Sequence, residues 1–174
     1  VRAHDQLAGV RIHDRLDRYD RLIPATRDLL IATGKPYVIE NVEDAGPELI
    51  EPLLLCGTEF DLTAVDTDVT RVRLERHRLF ESNLFLWGAG GCEGLHSGPR
   101  DRQQTAGAYG GARRDKVEAR TIRKGGYVPA SLDVLRALLG TPWMTEQGCF
   151  LSIPPAYTEH IGHQLAAHVR EAAA

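Results

Sequence analysis

The chain has 174 residues, 43% of them hydrophobic, and a net charge of −3, which is enough for one core in a single domain or a piece of a larger protein. Three widely spaced cysteines, Cys56, Cys92 and Cys149, form no Cys-x-x-Cys pair. They exclude a disulfide scaffold or zinc ribbon and point to free thiols in a reducing, cytoplasmic setting. No apolar run approaches the roughly 18 residues of a membrane span, and nothing resembles a signal peptide.

Residues 1–18 are charge-dense without clean periodicity and predict a mobile entry. From Asp20 to Thr33 the apolar positions Leu22, Ile23, Leu29, Leu30 and Ala32 recur near helical spacing. Pro24 is tolerable in the first turn and Gly34 supplies a stop, so a helix is predicted. Pro36 closes it off, and Tyr37-Val38-Ile39 reads as a strand buried on both faces that delivers Glu40 and Asn41 at its carboxyl end. Open α/β sheets bind ligands outside those ends. Glu40 is therefore a candidate for chemistry, with a solvated loop acid as the plainer alternative.

A turn at Glu43-Asp44-Ala45-Gly46-Pro47 leads to Leu53-Leu54-Leu55-Cys56-Gly57, a second buried strand with Cys56 as a small core residue. Val69 to Leu74 alternates apolar and basic residues, the period of a half-exposed strand. Arg71 and Arg73 lie on its outer face, and Arg76 and Arg78 form a same-face pair entering Leu79-Phe80.

Residues 84–127 hold ten of the seventeen glycines, and regular structure is not expected there. Residues 99–124 carry eight basic residues against three acids, a local +5 that leaves −8 for the rest of the chain. The segment is either a solvated linker or an insertion that tracks a phosphate backbone with Arg100, Arg102, Arg113, Arg114, Lys116, Arg123 and Lys124. Cys92 and His96 are two isolated ligands, insufficient for a metal site, and no metal is expected.

Ser131 caps a helix over residues 132–139, terminated by Gly140 and Pro142. Pro154-Pro155 opens a last helix with an apolar stripe of Tyr157, Ile161, Leu165 and Val169. His160, His163 and His168 read as surface residues. The expected architecture is α/β with a mostly parallel sheet containing strands near 37–42, 53–56 and 77–81, and the 155–170 helix packed on it.

Glu-Asn-Val after an apolar strand, Arg-x-Arg before Leu-Phe, a variable basic segment and a closing helix together resemble the DNA (cytosine-5)-methyltransferases. More narrowly, Ile23 to Leu30, Pro36 to Asp44, Leu54 to Gly57, Arg76 to Asn83 and Ile153 to Glu159 look like the short phage-type DNA methylases of actinobacteria and their viruses. The similarity covers nearly everything outside 84–127, and order and spacing together carry it.

The resemblance implies a partial Rossmann-like fold. Residues 1–83 would be the C-terminal half of the catalytic domain, 84–127 the target-recognition segment contacting double-stranded DNA, and 128–174 the helices that complete the domain. It implies catalytic roles for Glu40, Asn41, Arg76 and Arg78. Glu40 would hold the flipped cytosine at N3 and its exocyclic amine, Asn41 would position the nucleophile loop, and the arginines would steady O2 and that loop. Arg71 and Arg73 would join the DNA contacts. S-adenosylmethionine is the implied methyl donor, with Pro154, Pro155 and Tyr157 as its contacts here.

Two departures stand out. Leu74 replaces the family's glutamine before the first arginine. The Gly-rich cofactor turn and the Pro-Cys nucleophile, which precede Glu-Asn-Val in the family, have no counterpart upstream of Glu40. The expectation is a C-terminal portion, inactive alone, whose partner is its missing N-terminal half. A non-catalytic DNA-binding or regulatory module on the same half-fold is the alternative, and a different base-modifying enzyme is a third reading.

Overall fold

A computed structural model describes residues 22–66, 71–92, 103–106, 108 and 128–173. The entry segment 1–18 lies outside them. Helix α1 spans Leu22–Ala32 and ends before Gly34, whose φ of +64° is the left-handed conformation that stops a helix. Strand β1 (Val38–Asn41) follows, then a 3₁₀ turn over Glu43–Glu48 and strand β2 (Leu53–Leu55). After a short 3₁₀ turn, strands β3 (Thr63–Val65), β4 (Arg71–Leu74) and β5 (Arg78–Ser82) come in succession. Strand β6 is Gln103–Ala106, and helices α2 (Leu132–Leu139), α3 (Glu146–Leu151) and α4 (Pro155–Ala172) close the chain.

The predicted strands form, but their sheet is not the mostly parallel, Rossmann-like one expected. β5 lies between β1 and β2 and is antiparallel to both. β1 and β2 do run the same way, yet neither pairs with the other. An apolar run marks a strand but not its direction, and β5 uses both of its hydrogen-bonding edges to separate the two. The second sheet is mixed, with β3 antiparallel and β6 parallel to β4. β6 also corrects the expectation that 84–127 holds no regular structure: a polar four-residue run finds a partner in β4, a tertiary pairing that local composition does not announce.

The first sheet is covered on both faces, as the period of two requires. Val38, Leu53, Leu55 and Phe80 face α4, packing with Tyr157 and Ile161. Ile39, Leu54 and Leu79 face α1, which turns in Ile23 and Leu30. Between those two on the same helical face, Arg27 is buried. The rest of the predicted α1 stripe points out: Leu22 is 65% and Leu29 72% exposed. Val169, the last residue expected in the α4 stripe, is also exposed, because the helix runs past the sheet it covers.

The second sheet packs Val72, Leu74 and Ala106 against Leu135, Leu138 and Leu139 of α2 and Cys149 of α3. The predicted cap of α2 is present: the Ser131 hydroxyl accepts the Val134 N–H, and Gly140 takes the left-handed conformation after the last turn. Among the described residues no helix is long and apolar enough to cross a membrane.

Candidate functional site

Glu40 pairs across the sheet with Phe80, so Arg78, two residues away on β5, is its diagonal neighbour on the same face. The side chains meet there, with Glu40 Oε1 3.0 Å from Arg78 Nε. The Arg78 side chain is 9% exposed and that of Glu40 28%, so the carboxylate has the open side of the pair. A second arginine nitrogen, Nη1, donates to the His77 carbonyl oxygen at 2.7 Å, which fixes the guanidinium plane.

Burial raises the pKa of Glu40 above the usual carboxylate range, and this outweighs the opposing attraction of Arg78 and, more weakly, Arg76. A carboxyl group that is easily protonated beside an arginine presents one donor, one acceptor and a cationic donor side by side. That array matches a planar ring edge with an acceptor nitrogen, an exocyclic amine and a carbonyl oxygen.

Arg76 has a different place. It lies before β5, fully buried, with Nη1 donating to the Ala108 carbonyl and Nη2 to the Phe150 carbonyl, both at 2.8 Å. Its own carbonyl accepts the Tyr157 hydroxyl at 2.6 Å. One residue thereby ties the first sheet, the second sheet, α3 and α4 together immediately before Arg78. Arg76 and Arg78 therefore lie in different settings, the first an interior anchor and the second beside Glu40 on the α4 face. Sequence reading missed the anchor because a buried arginine and an exposed one look alike in the chain.

The other expected site residues separate in the same way. Asn41 is half-buried at the end of β1, and its side-chain oxygen accepts the Val42 N–H at 2.9 Å, shaping the exit from the strand. Tyr157 is wholly buried and its hydroxyl is given to Arg76, and Pro154 is buried too, so these two do not fit a cofactor-contacting surface, whereas Pro155 is half-buried. Arg71 is exposed on β4, and Arg73 half-buried, alternating with the fully buried Val72 and Leu74 as their period predicts. Arg100, Arg102, Arg113, Arg114, Lys116, Arg123 and Lys124 lie outside the described residues, as does His96.

The cysteines are not poised as nucleophiles. Cys56 and Cys149 are fully buried. Cys92 is half-buried, and its thiol is pushed up to about 11, first by burial and then by the neighbouring Cys56 and Glu59. His160, expected at the surface, is half-buried against the Phe60 ring, while His163 and His168 are exposed. No protein-family model, curated protein or solved structure matches this chain.

Proposed function

We propose that this chain carries the base-binding part of a DNA (cytosine-5)-methyltransferase acting on double-stranded DNA in the cytoplasm. One observation carries the reading: Glu40, half-buried at a strand end with a raised pKa, sits 3.0 Å from the braced guanidinium of Arg78. Cytosine resists nucleophilic addition at carbon 6 until its N3 is protonated or strongly hydrogen-bonded. A protonated Glu40 donates to N3 while its other oxygen accepts from the exocyclic amine, and Arg78 donates to O2. Burial favours the protonated acid, so the environment of Glu40 suits this role. The base reaches the pair by leaving the duplex, and the basic residues between 100 and 124 hold the phosphates.

The methyl group would be supplied by S-adenosylmethionine. None of the three cysteines follows a proline, so none fits the family's Pro-Cys nucleophile.

The test is methyl transfer by the complete enzyme bearing its nucleophile. Glu40→Gln keeps the shape of the side chain but removes the acid, and should slow transfer by a hundredfold or so while leaving DNA binding intact. A complete enzyme indifferent to Glu40→Gln overturns the reading.

A further inference from the structure

Next to the Glu40–Arg78 pair is a second cluster that the methylation chemistry does not use. Cys56 Sγ, Cys92 Sγ and a ring nitrogen of His77 all lie within 4.8 Å of one another, although they are far apart in sequence. The geometry points to a site for a thiophilic divalent ion of the zinc class, held by Cys56, His77 and Cys92. This inference does not rest on the methyltransferase reading.

Four features support it. The first is spacing: Cys92 Sγ is 3.5 Å from His77 Nε2, and two such ligands on one tetrahedral zinc ion stand about 3.5 Å apart, from bond lengths near 2.3 and 2.0 Å. The second is the imidazole's orientation. His77 Nδ1 is 2.8 Å from Glu43 Oε1, so in the tautomer whose Nδ1–H donates to that carboxylate the Nε2 lone pair faces the sulfur. A carboxylate behind a histidine is the usual outer partner of a metal-binding imidazole, setting its tautomer and raising its basicity.

The third feature is the bracing of the cysteines. Glu59 accepts the Cys56 N–H on one oxygen at 2.9 Å and the Gly91 N–H on the other at 3.1 Å, so one carboxylate holds the backbone beside both sulfurs. Thr58 Oγ1 donates to Cys56 Sγ at 3.2 Å, which fixes the position of the sulfur. The fourth is steric. A Cβ at Gly57 would come within 2.6 Å of Leu74 Cβ and 2.7 Å of the Leu74 carbonyl oxygen, so the glycine lets Cys56 sit close beneath the segment that carries His77. Half-buried Cys92 and His77 leave an approach from solvent.

An ion at this point would staple the end of β2, the segment entering β5 and the loop at Cys92. It would also hold the His77 carbonyl that orients Arg78. Three protein ligands leave one tetrahedral position to a further donor.

The test uses the whole chain, purified under reducing conditions. One equivalent of Co²⁺ should produce a thiolate-to-cobalt charge-transfer band that is bleached by Zn²⁺. Cys92→Ser and His77→Gln should weaken binding at least tenfold, Glu43→Gln tenfold to a hundredfold, and exposed His163→Gln not at all. Because Cys56→Ser alters a fully buried position, thermal unfolding of the unaltered chain provides the independent check, with Tm rising as free Zn²⁺ rises. Absence of both the band and the Tm shift overturns the proposal. A band formed with unchanged affinity in Cys92→Ser does so too.

Discussion

The first sheet carries an arginine–glutamate pair on each face, and the two pairs are built to opposite ends. On the α1 face Arg27 grips both oxygens of Glu81, with Nη2 to Oε2 at 2.7 Å. Arg27 Nη2 also donates to the Glu48 carbonyl at 2.6 Å, and the Ile50 N–H donates to Glu81 at 2.8 Å. The bonds from Arg27 hold the Glu81 carboxylate below the ordinary range despite its burial. On the α4 face Glu40 meets Arg78 at 3.0 Å and keeps an open side and a raised pKa. Several buried hydrogen bonds on both partners make an ion pair structural, whereas a pair with its carboxylate open to solvent at a strand end leaves room for a ligand.

The largest effect that can break this contrast is expected at the closed pair. Arg27→Met leaves Glu81 buried without its counter-charge and should cost about 3–5 kcal/mol in denaturant unfolding, most of it recovered in Arg27→Met/Glu81→Leu. A loss of under about 0.5 kcal/mol would put Arg27 in the same class as a surface charge. Next comes the open pair, where the hundredfold loss of methyl transfer expected for Glu40→Gln corresponds to about 2.7 kcal/mol of transition-state stabilisation. The same substitution should change folding stability by no more than about 0.5 kcal/mol. Equal damage to folding and to rate would erase the difference between the two faces.

Acid titration sharpens the contrast through its sign. The lowered pKa of Glu81 contributes stability that is present above the unfolded carboxylate value of about 4.3 and lost as pH falls through it toward the folded value. The raised pKa of Glu40 works the other way: its contribution is present below the unfolded value and lost as pH rises through the folded one. Stability measured from pH 7 to pH 3 should therefore fall less steeply in Arg27→Met/Glu81→Leu than in the unaltered chain, and more steeply in Glu40→Gln. The smallest effect separates both pairs from the phosphate contacts. Neutralising any two of Arg100, Arg102, Arg113, Arg114, Lys116, Arg123 and Lys124 should lower the salt slope of DNA binding by about two, with no change in slope for Glu40→Gln.

Local chemistry accounts for what was legible in advance. Pro36 before an apolar run, Ser131 before an amphipathic one and Gly34 or Gly140 after one act over a few residues, and the elements they bound are present. The position of Glu40 at the end of its strand was equally visible, because it depends on that run alone. Strand direction was not visible, since apolar runs read the same either way and only pairing with β5 orders the sheet. Nor could spacing in the chain distinguish Arg27 and Arg76, which are buried and bound, from Arg71, which is exposed.

Residue identity, capping and short-range periodicity were thus enough to place helices α1, α2 and α4, the main strands and one half of the candidate site, but not the short helix α3. The other decisions depended on contacts between residues far apart in the chain: Arg78 beside Glu40, Arg27 on Glu81, and His77 beside Cys56 and Cys92. Whether a charge is structural, reactive or a ligand follows from how many partners reach it and how much water is excluded. Both quantities exist only once the sheet has closed between its two helices.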